Sequence, residues 1–160
     1  MIRKDHACCF TGHRIIAKEY RNTLPRLLEL QIRRLVAEDI TDFITGGARG
    51  FDTLAAQTVL NLRMEFPQIR LILALPCKDQ TRGWSTADKT IYEQICRDAD
   101  WVYYTGTRYT MDCMMRRNRF MVDNSTACIF YLTNQRSGTY KTVSYAMDEN
   151  RKLYNILTVK

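Results

Sequence analysis

The sequence contains few residues that interrupt regular secondary structure, with three prolines and seven glycines among 160 residues. It also lacks a long apolar run, since no stretch approaches the roughly 20 residues that a membrane-spanning helix requires. The apolar stretch near the N-terminus is too short for a secretory signal. Hydrophobic residues nevertheless make up 46% of the chain, which excludes intrinsic disorder. These features predict one soluble domain over residues 1–160, with no membrane association.

The cysteine and histidine spacings of metal sites are absent as well. There is no C-x-x-C motif, and His6 and His13 do not form a zinc-finger pattern. We therefore expect no metal ion. Several of the six cysteines lie in apolar runs, where a reduced cysteine behaves as a small hydrophobic residue. This usage predicts buried free thiols and a cytoplasmic location, because disulfides are rare in reducing compartments.

The chain is basic, with 24 Lys and Arg against 17 Asp and Glu and a formal net charge of +7. Acidic residues are interspersed among the basic ones, and the sequence has neither a run of five or six like charges nor a basic tail. The excess charge therefore favours an anionic partner. It does not choose between a nucleic acid and a small anionic ligand.

Short apolar runs of strand type alternate with longer segments of helical periodicity. Such alternation is typical of a parallel sheet covered by helices on both faces. The predicted fold class is therefore α/β, a Rossmann-like three-layer sandwich with a mostly parallel central sheet. Ligands of such folds bind beyond the carboxyl ends of the strands, so the strand-to-helix junctions carry the candidate site. The predicted strands are Ala7–Thr11, Asp42–Thr45, Ile69–Leu75, Trp101–Thr105, Ala127–Leu132 and Tyr154–Thr158, and the predicted helices are Arg21–Asp39, Phe51–Glu65, Ala87–Asp98, Met111–Asp123 and Thr139–Asn150.

The junction after the second predicted strand carries the strongest ligand-binding signal. Gly46, Gly47 and Gly50 lie between a strand and a helix, where backbone N–H groups can face a phosphate. Arg49 adds a cation. Asp52 falls in the first helical turn, where it either caps the helix or binds a ribose hydroxyl or a base. The loop is neither a G-x-G-x-x-G fingerprint nor a Walker A motif.

The junctions after the first and third predicted strands add hydroxyl, cationic and aromatic groups. Gly12 permits close approach of a ligand, and Thr11 and Arg14 offer a hydroxyl and a phosphate-pairing cation. The alternative is a plain turn with a surface arginine. Gln80 and Trp84 supply an amide and a ring for recognition of a base, unless this loop simply packs its tryptophan on the sheet.

Three arginines lie within four residues of one predicted helix. Each helical step turns by about 100°, so Arg116 and Arg119 share a face while Arg117 points elsewhere. At least one of the three arginines therefore serves a different surface from the others.

A second loop of small residues precedes the last predicted helix. Ser137, Gly138 and Thr139 bring hydroxyls and exposed N–H groups to the start of that helix. Thr139 as a simple helix cap is the alternative. Two such loops at the carboxyl ends of one sheet favour a shared phosphate cradle.

Taken in order, these junction motifs resemble those of the YpsA/YoqJ-like family. That family belongs to the SLOG superfamily of Rossmann-like domains, with the LOG cytokinin-activating enzymes and DNA-processing protein A. The resemblance covers nearly the whole chain and implies a Rossmann-like fold, a pocket for a nucleotide-derived ligand and a homodimer. The motifs that carry it are Cys9–Arg14, Thr45–Asp52, Pro76 with Gln80 and Trp84, Arg117-Asn118 with Val122-Asp123, and Ser137–Thr139 with Thr142-Val143 and Tyr145-Ala146.

The sequence departs from the LOG enzymes at one functional position. Their motif P-G-G-x-G-T-x-x-E ends in a glutamate that works in cleaving a nucleoside monophosphate. Here Thr142 takes that place, and threonine cannot act as a general base near neutral pH. The segment Gly47–Asp52 also resembles the Ala-Arg-Gly-Ile-Asp segment of DNA-processing protein A, which binds single-stranded DNA.

Three functions are therefore open. The first is binding of a small anionic nucleotide or nucleotide-derived ligand, with no certain cofactor. The second is a nucleoside-monophosphate phosphoribohydrolase in which Asp52 is the candidate catalytic carboxylate and Arg117 a phosphate or transition-state partner. The third is a nucleic-acid-binding module, which needs a basic groove and exposed aromatic side chains for stacking. The candidates, if exposed, are Trp101, Tyr103, Tyr104 and Tyr109. Trp101 and Tyr103 alternate along a predicted strand, a pattern that favours core packing instead.

Overall fold

The computed structural model describes all 160 residues and confirms the α/β class. The strands are β1 (Ala7–Gly12), β2 (Asp42–Thr45), β3 (Arg70–Leu75), β4 (Trp101–Tyr104), β5 (Ala127–Tyr131) and β6 (Lys152–Asn155). The helices are α1 (Leu24–Ala37), α2 (Phe51–Arg63), α3 (Thr86–Asp98), α4 (Cys113–Asp123) and α5 (Gly138–Asp148). Short 3-10 helices cover Lys4–His6, Lys18–Tyr20 and Ile156–Thr158.

The six strands form one sheet in the order β4-β3-β2-β1-β5-β6, and every neighbouring pair is parallel. The chain builds outward from β1 to β4 and then returns to the other side of β1 for β5 and β6. The direction of winding therefore reverses between β1 and β5. In open α/β sheets this switch point opens a crevice at the carboxyl ends of the strands.

Side chains of β1 alternate between two hydrophobic cores on the two faces of the sheet. Cys8 and Phe10 belong to the larger core, which also contains residues of α1, α2 and α3. The buried stripe of α1 (Leu24, Leu28, Ile32 and Leu35) recurs at helical spacing. Ala7 and Cys9 belong to the smaller core, which contains residues of α4 and α5. Three helices thus cover one face of the sheet and two cover the other.

The last strand differs from its prediction. The sequence pattern favours Tyr154–Thr158, whereas the strand is Lys152–Asn155 and Ile156–Thr158 forms a 3-10 helix. The Asn155 side chain accepts a hydrogen bond from the Leu157 N–H at 3.0 Å, which turns the chain out of the strand conformation.

All six cysteines are free thiols, and five of them are buried. Cys9 and Cys128 are register partners on β1 and β5, yet they form no disulfide. Burial raises the pKa of the Cys8 thiol well above its ordinary value, so this group stays protonated and unreactive. None of the helices combines the length and the apolar composition needed to cross a membrane.

Candidate ligand-binding site

Two adjoining cavities open where the carboxyl ends of the strands meet the N-termini of the helices. The first, the Asp52 cavity, has a volume of about 400 Å³. The second, the Trp84 cavity, has a volume of about 430 Å³. Both are lined by Arg14, Ala48 and Met114, so they share a wall.

Most of the residues predicted to bind a ligand line these two cavities. The Asp52 cavity contains Thr11, Gly12, Arg14, Asp52, Arg117, Ser137, Gly138 and Thr139. The Trp84 cavity contains Arg14, Arg49, Gln80 and Trp84. Three predicted residues, Gly46, Gly47 and Gly50, line neither cavity.

Gly50 packs two loops together, and its predicted contact with a ligand stays a prediction. Its φ of +76° is in the left-handed region, and an added Cβ would lie 2.7 Å from the carbonyl oxygen of His13. The Phe51 N–H donates to that same carbonyl at 3.1 Å. The loop after β1 therefore lies directly against the start of α2 and fixes the backbone that carries Arg14.

Gly46 has a similar packing role, against the guanidinium of Arg117. A Cβ at this position would lie 2.6 Å from Arg117 Cζ. The Gly46 carbonyl oxygen accepts hydrogen bonds from Arg117 Nη1 and, at 3.4 Å, from Gln80 Nε2. The absence of a side chain at Gly46 thus lets the Arg117 guanidinium pack directly on the backbone.

Arg117 points into the protein, while Arg116 and Arg119 are exposed, as their helical spacing predicts. Its side chain is enclosed by acceptors: Nε donates to Asn118 Oδ1 at 2.8 Å, and Nη1 also lies 3.5 Å from Gln80 Oε1. No carboxylate lies within ion-pair distance of it.

The second terminal nitrogen of Arg117 is poorly satisfied. Nη2 has a single partner, the thioether sulfur of Met114 at 3.6 Å, which is a weak acceptor. Burial lowers the pKa of Arg117, and the charge of Asp52 acts in the opposite direction. A buried guanidinium with free N–H groups can donate hydrogen bonds to an anion.

Asp52 is the one carboxylate that lines the Asp52 cavity, and it is 6% exposed. Its Oδ2 accepts a hydrogen bond from the Ala48 N–H at 3.2 Å. Burial raises the pKa of Asp52 to about 6, while the positive charge of Arg117 and the Ala48 N–H oppose the shift. The capping alternative for Asp52 is wrong, because Gly50 holds the N-cap position of α2.

The start of α5 presents unpaired backbone donors to the same cavity. Ser137 Oγ accepts from the Tyr140 N–H at 3.2 Å and donates to the Asn134 carbonyl at 2.6 Å. The cap of α5 is therefore Ser137, which corrects the alternative that assigned this role to Thr139. The N–H groups of Gly138 and Thr139 have no acceptor in the chain. The first turn of a helix with free N–H groups is a favourable place for an anion.

His13 joins the loop after β1 to the loop after β5, a role that the sequence pattern does not reveal. Its Nε2 accepts a hydrogen bond from the Thr133 N–H at 2.8 Å, and its ring meets Tyr131 edge-on at 5.4 Å between centroids. Burial lowers the pKa of His13, in keeping with a neutral imidazole that accepts at Nε2.

The Trp84 cavity combines aromatic and cationic groups. The guanidinium of Arg49 lies over the Trp84 ring, 4.9 Å from its centroid, and Trp84 contacts Tyr92 edge-on at 5.5 Å. Arg82 and Tyr109 also line the cavity. Arg82 is absent from the predicted site residues, and Tyr109 is predicted only as a stacking residue for a nucleic acid. Gln80 lines the same cavity, and its buried amide also donates to the Gly46 carbonyl at 3.4 Å and lies 3.5 Å from Arg117 Nη1.

The edge strand β4 exposes aromatic side chains, contrary to the core packing that its alternation predicts. Tyr103 is 41% exposed and stacks on Phe120 with ring centroids 4.8 Å apart. Tyr104 is 45% exposed and lies under the ammonium of Lys78 at 5.9 Å. Among the aromatic residues of β4, only Trp101 is half-buried, and it packs against the smaller core. An edge strand lacks the neighbour that would cover these rings.

The parallel sheet, its switch point and the helix N-termini around the cavities define a Rossmann-like protein. Residues 17–160 match the sequence model of the YspA SLOG family, and the chain belongs to this family. It is 30% identical over 133 residues to the uncharacterized SPbeta prophage-derived protein YoqJ of Bacillus subtilis (strain 168), covering 76% of this chain and 78% of that protein. It is 25% identical over 124 residues to a UPF0398 protein of Brevibacillus brevis, covering 76% of this chain and 65% of that protein.

Two solved structures of DNA processing protein A share the fold. The Helicobacter pylori protein, described for its single-stranded DNA binding mode, has a TM-score of 0.65 at 17% identity, covering 94% of this chain and 64% of that one. The Streptococcus pneumoniae protein has a TM-score of 0.67 at 19% identity, covering 93% and 49%. This chain thus spans about half to two thirds of their length.

Proposed function

We propose that this chain binds a nucleotide or nucleotide-derived ligand across the Asp52 and Trp84 cavities. The proposal rests on one observation: two groups of hydrogen-bond donors that lack good acceptors within the chain line the same cavity. These are the N–H groups of Gly138 and Thr139, which have no acceptor in the chain, and Arg117 Nη2, whose one partner is a thioether. A phosphate supplies the oxygens that both sets lack.

The Trp84 cavity is suited to the base. Trp84 and Tyr109 offer apolar rings, and Arg49 offers a flat cation, a combination that stacks on aromatic bases. Arg14 lies in the wall shared by the cavities, where it pairs with a phosphate or a second anionic group. The two volumes of about 400 and 430 Å³ lie in the range of small-molecule sites.

A thermal-shift panel of nucleotides tests the proposal. At 100 times its Kd, a ligand adds about 2.7 kcal/mol of stability, which raises the Tm of a protein of this size by roughly 5 to 10 °C. Arg14→Ala should reduce the shift severalfold. Arg97→Ala, an exposed arginine on α3 outside both cavities, is the matched control and should respond like the parent protein.

Two outcomes count against the proposal: no nucleotide raises the Tm, or the Arg14 variant responds as strongly as the control. A short single-stranded oligonucleotide belongs in the same panel, because Tyr103, Tyr104 and Tyr109 are exposed and the fold is shared with DNA processing protein A. Binding that is confined to the oligonucleotide and falls steeply with salt would favour the nucleic-acid function instead.

A second candidate function is hydrolysis of the N-glycosidic bond of a nucleoside monophosphate. It is favoured by Asp52, which combines burial beside the proposed phosphate site with a pKa raised to about 6. A carboxyl group with this pKa exchanges protons near neutral pH. Its position in the first turn of α2 could thus compensate for the threonine at position 142.

Chromatographic detection of free base after incubation with nucleoside monophosphates measures this activity. We expect Asp52→Asn to lower base release at least a hundredfold while the variant still shows a nucleotide-dependent thermal shift. Equal release by variant and parent would remove Asp52 from the reaction. No release by the parent protein would exclude hydrolysis of these substrates and leave the binding proposal intact.

A further inference from the structure

The wall of the Asp52 cavity contains one buried cation and one buried anion. Arg117 and Asp52 are 4% and 6% exposed, respectively. Arg14, the other charged residue of this wall, is exposed. His13 is the remaining titratable group there, and burial lowers its pKa, which favours the neutral ring. The interior of the cavity is therefore neutral overall, while its outer edge carries one positive charge.

Asp52 and Arg117 balance each other's charge without forming an ion pair. No salt bridge joins them, but each charge shifts the pKa of the other group in the direction that favours its charged form. A compact cavity of about 400 Å³ is roughly 9 Å across, less than the Debye length of about 10 Å at 0.1 M salt. An anion that binds in this cavity therefore interacts with both charges.

The free donors of the cavity compensate one negative charge of a bound phosphate. The first turn of α5 contributes two unpaired N–H groups and the positive end of the helix dipole, which is equivalent to about half an elementary charge. Arg14 adds an exposed cation. A second negative charge has no cation of its own, because Asp52 already balances Arg117. Burial of an uncompensated charge beside one of the same sign is unfavourable.

We propose that Asp52 is a specificity-determining residue that makes this cavity a site for a singly charged phosphate. Such a phosphate is a phosphodiester, in which the phosphate joins two groups of the ligand. The terminal phosphate of a nucleoside monophosphate instead carries about 1.5 to 2 negative charges at pH 7. The inference rests on the proposed nucleotide binding and names the class of phosphate that its site accepts. It disfavours the second candidate function, whose substrates carry a terminal phosphate.

Matched pairs of ligands test the selection of charge. The probes are the four common ribonucleoside 5′-monophosphates and the methyl esters of their phosphates, and isothermal titration calorimetry measures both affinities of each pair. At pH 8 the parent protein should bind the methyl ester more tightly than the corresponding monophosphate. At pH 5 the monophosphate has lost its second charge, since its second pKa is about 6, and the preference should disappear. Asp52 and His13 then act equally on both ligands, because the two carry the same charge.

Asp52→Asn should shift the preference at pH 8 toward the monophosphate, because it removes the negative charge and leaves Arg117 uncompensated. We expect the ratio of the two dissociation constants to change by roughly tenfold or more, which corresponds to one pKa unit of differential interaction. The methyl group is the same in both proteins, so its steric effect cancels. Asp148→Asn is the matched control, since it removes an exposed carboxylate at the C-terminal end of α5, outside both cavities. It should leave the ratio unchanged.

A dinucleoside monophosphate and a longer single-stranded oligonucleotide distinguish the two sources of a phosphodiester. Equal affinities would assign the phosphate to a small ligand that fits within the two adjoining cavities. Tighter binding of the oligonucleotide that falls steeply with salt would assign it to a nucleic acid.

The outcomes separate this inference from the proposed function. Circular dichroism first confirms that both variants are folded. The charge selection is overturned, and nucleotide binding remains, if the parent protein prefers the monophosphate at pH 8. The same conclusion follows if the Asp52 variant keeps the parent's ratio of dissociation constants. Absence of binding by every probe and by every nucleotide of the thermal-shift panel would overturn both proposals.

Discussion

Arg117→Ala is expected to lower the free energy of unfolding by roughly 2–4 kcal/mol, because a buried polar group that loses its partner costs about 1–3 kcal/mol. The guanidinium is 4% exposed and donates to the carbonyl of Gly46 and to the Asn118 side chain. Its removal leaves the Gly46 carbonyl with only the longer hydrogen bond from Gln80 Nε2 at 3.4 Å, and it leaves Asn118 Oδ1 without its donor. It also leaves Asp52 without the positive charge that opposes the rise of its pKa.

Arg116→Ala is the matched control for this prediction. Arg116 is the preceding residue of the same helix, but it is exposed and its ion pair with Asp112 is a surface pair. We expect its loss to change stability by about 0.5 kcal/mol or less. Urea unfolding of both variants measures the difference. Equal midpoints for the two variants would show that Arg117 does not organise the interior of the site.

Gly50→Ala is expected to destabilise the protein by about 2 kcal/mol or more, since it combines a left-handed φ with a backbone clash. The added Cβ would lie 2.7 Å from the carbonyl oxygen of His13 and meet the Arg14 carbonyl as well. Neither carbonyl can move without separating the loop after β1 from α2. We therefore expect this variant to lose nucleotide binding along with stability, because the same loop carries Arg14.

Gly83→Ala is the control that separates the cost of the left-handed φ from the cost of the backbone clash. Gly83 has a φ of +81°, close to the +76° of Gly50, but a Cβ at this position meets nothing within 4 Å. We expect Gly83→Ala to lower the free energy of unfolding by about 1 kcal/mol, the cost of the left-handed conformation alone. Thermal unfolding of the two variants measures the clash as their difference. If both variants unfold at the same temperature, the contact between the two loops contributes nothing to stability.

The sequence predicts the central strands well because their continuous apolar runs are characteristic of a parallel sheet buried on both faces. The prediction from the sequence fails at the two edge strands of the sheet. At β6 the side chains are half-buried at most, so no strong pattern marks where the strand ends. At β4 the alternation of Trp101 and Tyr103 is the pattern of a strand with one buried face, yet Tyr103 is exposed because nothing packs beyond the edge.

The convergence of the junction residues could be predicted, since parallel strands bring their carboxyl ends to one edge of the sheet. Their individual roles could not. That Arg117 differs from Arg116 and Arg119 follows from helical geometry. Its contact with Gly46, however, joins positions 71 residues apart in the sequence. The local sequence pattern does not reveal such a contact. In the sequence, glycines that pack loops together therefore look the same as glycines that bind phosphate.

The central claim is that a nucleotide phosphate binds at the free N–H groups of Gly138 and Thr139, opposite Arg117. Amide NMR spectra of the labelled protein, titrated with the nucleotide that raises the Tm most, test it directly. We predict that the amide resonances of Gly138 and Thr139 shift strongly and saturate at the same Kd as the Arg49 amide in the Trp84 cavity. If other amides shift while those of Gly138 and Thr139 stay unchanged, the phosphate binds elsewhere and the proposed site is wrong.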